Sequence, residues 1–266
     1  MKKIIHLLVL LILMAGIGCN SNEEKTAKQL PEINSKEDLK NLIKQYPDSL
    51  LLVQNLIEKY REDAAYDSAI ALTDMEIKKD SDNAYLWNMK ATLHFENNDT
   101  VDAINSLEHA VNLYPLPEYL VALGTVYAEV KNEKAINIAN GLLKVNRIKW
   151  GKDAMFLKGL YYNYSNDKKK AISYFDSSLQ MDFTYMFAYR EKAIALYDLG
   201  KYEEALTTLK RAVTIQNNFD EGYYWMGKCY EKLHKPDDAI QSYQNALLYD
   251  KNFIEAREAL ERLQGQ

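Results

Sequence analysis

The chain has 266 residues, 47% of them hydrophobic and 27% charged, with 10 Gly. That composition excludes a disordered or collagen-like polymer. A net charge of −5 without Lys/Arg clusters excludes nucleic acid as a partner class. Lys2 and Lys3 precede an apolar run from Ile4 to Ile17, interrupted by His6. The run is too short for a membrane span and fits the hydrophobic stretch of a signal peptide. Of the two cysteines, Cys19 ends this leader and Cys229 falls in a predicted helix, so no disulfide is expected.

Gly16, Ile17, Gly18 and Cys19 resemble the bacterial lipobox, with Gly16 standing where Leu is usual. The resemblance implies a signal peptide over residues 1–18. It also implies a diacylglycerol thioether and a palmitate-like acyl chain on Cys19, enough for stable membrane attachment. Asn20 replaces the Asp that resembles an inner-membrane retention signal, which implies lipid anchoring in the outer membrane of a bacterial envelope. Asn22, Glu23 and Glu24 look like the acidic tract that sends some lipoproteins to the cell surface. They also suit a simple solvated tether over residues 19–34, where Pro31 lies. The periplasmic and surface faces both stay open.

From Ser35 the chain reads as helix. Ser35 with Asp38 is an N-terminal capping signal, and Leu39, Leu42, Ile43 and Tyr46 make an apolar face. Residues 35–49, closed by Pro47, form a lone capping helix. Beyond it a small residue recurs at a fixed interval: Ala69, Ala103, Ala171, Ala205 and Ala239. The intervals are multiples of 34 residues, with Asn137 at the missing beat and Ala135 two residues early. Such a period means stacked helical hairpins sharing a continuous core. Six units follow: 50–83, 84–117, 118–151, 152–185, 186–219 and 220–253.

Within each unit large and small residues alternate. The second unit has Trp87, Ala91, Ala103, Ile104, Leu107, Ala110 and Pro115, and the sixth has Tyr223, Met226, Gly227, Tyr230, Ala239, Ile240, Tyr243, Ala246 and Leu247. Ala91, Gly159, Ala193 and Gly227 are expected to face the recurring Ala of the second helix, with Trp87, Phe175 and Tyr230 filling gaps between hairpins. Asn98-Asp99, Asn166-Asp167 and Gly200 mark the turns between paired helices. Gly124 and Ala135 give the third unit a first helix starting near Pro117 and a turn one residue short. Asn140, Gly141 and Asn146 add to that irregularity, read as a local change of curvature. Residues 254–266 form an amphipathic helix covering the last hairpin. The expected total is 14 helices.

These residues resemble the tetratricopeptide repeat over 50–253. The resemblance implies an all-α fold, a right-handed α-α superhelix, whose first helices line a concave groove. The groove positions are the second, fifth, ninth and twelfth of each unit. On this chain they include Tyr85, Asn88 and Phe95, then Phe156 and Leu160 with Tyr164 beside them. Phe187, Arg190, Ile194 and Tyr197 follow, then Tyr224 and Lys228. This is an aromatic groove with two isolated cations, the residue types that anchor protein partners. Tyr60, Tyr66, Tyr162, Tyr189, Tyr202, Tyr223, Tyr230 and Tyr243 fall at core positions instead. The Lys/Asn/Arg set of chaperone-tail clamps is absent, with Phe156 and Leu157 in its slots.

Catalytic and metal signals fail. His94, His109 and His234 have no second ligand at helical spacing, and His94 occupies an aromatic packing position. Cys229 lacks a nearby His and reads as a small buried residue. Lys168, Lys169 and Lys170 read as a solvated helix start. No phosphate loop, nucleophile elbow or dinucleotide fingerprint occurs, so no cofactor, metal or catalytic set is expected. The expectation is a non-catalytic, membrane-anchored scaffold. It would hold a partner peptide or helix in its groove within a cell-envelope protein complex. The plan is similar to that of pilotin-like and assembly-factor-like outer-membrane lipoproteins. The alternative is a surface-exposed receptor for a peptide or glycan, and homodimerisation also stays open.

Overall fold

The computed structural model describes residues 35–265. The leader, Cys19 and the tether lie outside the described residues. Among these the fold is all-helical: α1 (Lys36–Gln45), α2 (Leu50–Glu62), α3 (Tyr66–Lys79), α4 (Ala84–Glu96), α5 (Thr100–Leu113), α6 (Pro117–Glu129), α7 (Lys134–Tyr164), α8 (Lys168–Met181), α9 (Met186–Asp198), α10 (Tyr202–Ile215), α11 (Asp220–Lys232), α12 (Pro236–Tyr249) and α13 (Ile254–Gln264). The chain divides into two compact units between Ala122 and Leu123.

Every hairpin turns on one left-handed residue: Ala64, Asn98, Lys131, Asn166, Gly200 and His234. In the Asn-Asp turns the labour divides cleanly. Asn98 and Asn166 take the left-handed conformation, at φ 63° and 67°. Asp99 and Asp167 then cap the next helix, accepting the N–H of Asp102 and of Lys170, each at 3.2 Å. The recurring Ala lies five residues past the left-handed residue in five hairpins, and Ala135 lies four past Lys131. The third turn is thus one residue short. Ala69, Ala103, Ala135, Ala171, Ala205 and Ala239 are all completely buried.

The small residues of the first helices work differently from expectation. They do not simply face the recurring Ala. A Cβ added to Gly159 would lie 2.4 Å from the Phe175 ring, and one added to Gly227 would lie 2.5 Å from Tyr243. Each ring projects from one turn beyond the Ala of its own helix and rests on bare glycine backbone. Phe175 therefore packs inside a hairpin, not between hairpins. Burying such a side chain is worth roughly 1.5–3 kcal/mol. Of the eight core tyrosines, Tyr189, Tyr230 and Tyr243 are fully buried and the others are half-buried. Tyr46, expected on an apolar face, is exposed.

The expected helices are all present among the described residues, but no turn separates the third unit's second helix from the fourth unit's first. They merge in α7, and Asn146 alone leaves helical geometry, at φ −162° and ψ 99°. Its side-chain oxygen accepts the N–H groups of Ile148 (3.1 Å) and Lys149 (3.0 Å). Asn146 is therefore an N-cap inside a continuous run, and the helix expected from residue 152 starts just after it. The C-terminal cap α13 buries Ala256 and Ala259, and Arg262 on it pairs with Glu231 of α11 at 2.7 Å.

Candidate functional site

The larger set of candidate groove residues lies within residues 123–266, on the second half of α7, on α9 and on α11. The 34-residue period arranges them in rows. The fifth-position row, Phe156, Arg190 and Tyr224, is buried throughout. In the ninth-position row Leu160 is buried, while Ile194 and Lys228 are half-buried. Phe187 and Tyr197 are half-buried as well, and so is Tyr164.

Phe156, Leu160, Arg190 and Tyr224 are accordingly corrected from contact residues to floor. The cause is local packing. Phe156 is 0% exposed, with Phe175 at 5.7 Å and Tyr185 edge-on at 5.3 Å. Tyr224 lies between Tyr243 at 5.8 Å and Phe253 at 4.9 Å. Arg190, expected as an isolated cation, is 1% exposed. Its Nη1 donates to both carboxylate oxygens of Glu221 at 2.9 and 2.8 Å, and its Nε donates to Glu191 at 3.1 Å. The guanidinium carbon sits 5.5 Å from the Phe187 ring centre. Burial would lower the Arg190 pKa, but Glu221 and Glu191 outweigh it and raise it above the usual range.

The floor also holds polar groups that a search for aromatics passed over. Asp153 and Glu221 occupy second positions of their units, so the positional rule applied in full reaches both. Burial pushes the Asp153 carboxyl up, although Lys152 and a hydrogen bond from Tyr185 act against it. Tyr185, which donates that bond, is held well above its ordinary value by burial and then by Asp153. Trp225 stands edge-on to Tyr197 at 5.6 Å, its enclosed indole N–H without a hydrogen-bond partner. The Tyr197 hydroxyl is pushed up to about 12 by burial and next by Tyr202.

In the other compact unit, Tyr85, Asn88 and Phe95 lie on α4 and are half-buried. Burial, then Tyr119, raises the Tyr85 hydroxyl. Lys168 is no free solvated lysine: it donates to Asn163 at 2.8 Å and to Asp198 at 2.6 Å. Cys229 is fully buried, and burial pushes its thiol up to about 12. A site of this kind can offer apolar and aromatic contact over a floor in which the buried Arg190 guanidinium is held between the Glu191 and Glu221 carboxylates.

Profiles described as TPR repeat and Tetratricopeptide repeat match residues 194–233, 220–253 and 153–185. A crystal structure of a tetratricopeptide repeat protein from Parabacteroides merdae superposes with TM-score 0.68 and 18% identity, covering 86% of this chain and 91% of that one. A TPR repeat-containing protein of Methanocaldococcus jannaschii is 24% identical over 244 residues, covering 86% of this chain and 39% of the relative. Protein STIP1 homolog of Dictyostelium discoideum is 31% identical over 91 residues, 32% of this chain and 16% of that protein. A second TPR repeat-containing protein from M. jannaschii is 26% identical over 128 residues, of which this chain spans 37% of the length. The chain thus spans well under two thirds of these curated relatives. It carries tetratricopeptide repeats in an all-helical fold of that kind, and no enzymatic family is indicated.

Proposed function

We propose that this tetratricopeptide-repeat chain is a non-catalytic scaffold, lipid-anchored at Cys19 in the bacterial outer membrane, that holds a segment of an envelope protein. The observation that carries the reading is the row structure of α7, α9 and α11. Phe187, Ile194, Tyr197 and Lys228 are half-buried at repeat-determined positions above a floor fixed by the Arg190–Glu221 pair. A partner chain laid across these helices meets the same kind of position once per repeat. Half-buried Phe, Tyr and Ile beside a cation can bury further area against a partner without prior unfolding, which suits a pre-formed contact surface. The floor contributes rigidity, so little ordering cost is left for the moment of binding.

The test is a cross-linked pull-down from native envelopes with the partners identified by mass spectrometry. An Ile194→Glu, Lys228→Glu chain is compared with wild type and with Lys210→Glu on the exposed face of α10. Circular dichroism checks that each stays folded. The reading expects partners lost from the double variant and kept by the control. An identical partner list from all three chains sinks it. The anchor is tested separately: Cys19→Ala should move the protein from the membrane to the soluble fraction.

A further inference from the structure

The α4–α5 hairpin carries a cluster that a protein-binding groove does not use. His94 lies in the last turn of α4, Asp99 caps α5 and Asp102 lies in its first turn. One ligand atom from each falls within 4.8 Å of the others. His94 Nδ1 is 3.3 Å from Asp99 Oδ2. Two ligand atoms on one tetrahedral zinc ion, each about 2.0–2.1 Å from it, are separated by ~3.4 Å.

A further observation points to a ligand. His94 is 8% exposed, and neither ring nitrogen makes a hydrogen bond. Enclosed polar atoms are normally satisfied, and an ion between Nδ1 and Asp99 Oδ2 would satisfy the nitrogen that this carboxylate approaches without a directed hydrogen bond. Both carboxylates are also pre-oriented. Asp99 Oδ1 accepts the Asp102 N–H at 3.2 Å, and Asn105 Nδ2 donates to Asp102 Oδ1 at 3.2 Å. Each carboxylate keeps its other oxygen for the cluster, and such outer hydrogen bonds fix ligand orientation in metal sites. The N-terminus of α5 disfavours a cation, but two carboxylates carry more negative charge than a helix end carries positive.

We propose that this hairpin binds a first-row divalent cation, zinc foremost, through His94 Nδ1, Asp99 and Asp102. An imidazole with two carboxylates selects this class over magnesium or calcium, which prefer all-oxygen shells. Asp102 is exposed, so the cluster is open to solvent on its side. The ligands stand at i, i+5 and i+8 across the turn, so a search at helical spacing passes over them. Binding would staple the end of one helix to the start of the next.

The full chain is stripped with chelator, then titrated with zinc chloride by calorimetry and with cobalt(II) chloride by visible absorption. The expected result is one equivalent bound, with the intense absorption of tetrahedral cobalt. Asp102→Asn, at an exposed position, should weaken zinc at least ~100-fold while circular dichroism and melting in chelator stay unchanged. Asn105→Ala, acting through Asp102, should weaken it ~10-fold. Absence of saturable binding, or equal zinc affinity in wild type, Asp102→Asn and His94→Gln, overturns the proposal.

Discussion

The two halves of α7 meet at the non-helical Asn146 and fill different places in the repeat. After Asn146, Gly151, Ala154, Phe156, Leu157, Gly159 and Leu160 are all buried. Before Asn146 only Ala135, Ala139 and Leu142 are buried, and a Cβ on Gly141 would meet nothing within 4 Å. At the junction Val145 is exposed and Ile148 is 99% exposed, with Lys144, Arg147 and Lys149 beside them. The earlier half is a second helix, burying Ala135, Ala139 and Leu142 at the spacing of Ala171, Phe175 and Ser178 in α8, whereas the later half is a first helix and carries the close-packed Gly159.

The comparison can be broken most forcefully at the neighbour of the later half. Arg190→Ala leaves Glu221 and Glu191 without their buried cation and should cost about 3–5 kcal/mol in urea denaturation. A loss below 1 kcal/mol would mean that water already reaches the pair. The glycines of α7 come next. Gly159→Ala drives a methyl into the fully buried Phe175 and should cost about 1–3 kcal/mol. Gly141→Ala, in open helical surface, should instead gain roughly 0.5–1 kcal/mol. Equal effects from the two substitutions would erase the distinction between the halves. Asn146→Ala removes the internal cap and should cost ~1 kcal/mol, read as a shift in denaturation midpoint without a change in slope.

The smallest effect is a pH dependence at the edge of the later half. Burial would raise the Asp182 carboxyl, but hydrogen bonds from Lys152 and Thr184 overcome it and hold it down to about 2. A carboxyl depressed in the folded state contributes stability above its unfolded pKa near 4. That contribution is lost as pH falls from there toward 2. Lys152→Met should flatten the acid limb of the stability curve in that window, measured by thermal melts at each pH. An acid limb identical to wild type would show that Lys152 does not set it.

The fold was legible because one signal is repeated: a buried Ala follows each left-handed turn residue at almost constant distance, and even the short third turn shows as Ala135. The missing boundary in α7 was harder to read. A non-helical Asn without Pro or Gly beside it closes one helix and caps the next with no intervening loop. The candidate groove was half legible. Position in the repeat names which residues share a row, but not depth, because depth depends on what the next unit supplies. Arg190 reads as a surface cation until Glu221, one repeat on, closes over it. His94 and its two carboxylates escaped for a related reason, since their proximity is made by a turn and not by a helix.

The most direct test of the central claim is site-specific photo-cross-linking in intact envelopes. A photoreactive residue is placed in turn at Ile194, Tyr197 and Lys228, with Thr207 on the exposed side of α10 as the control. The account predicts one and the same partner captured from the first three positions and none from the control. Capture from Thr207 alone, with Ile194, Tyr197 and Lys228 silent, would contradict it.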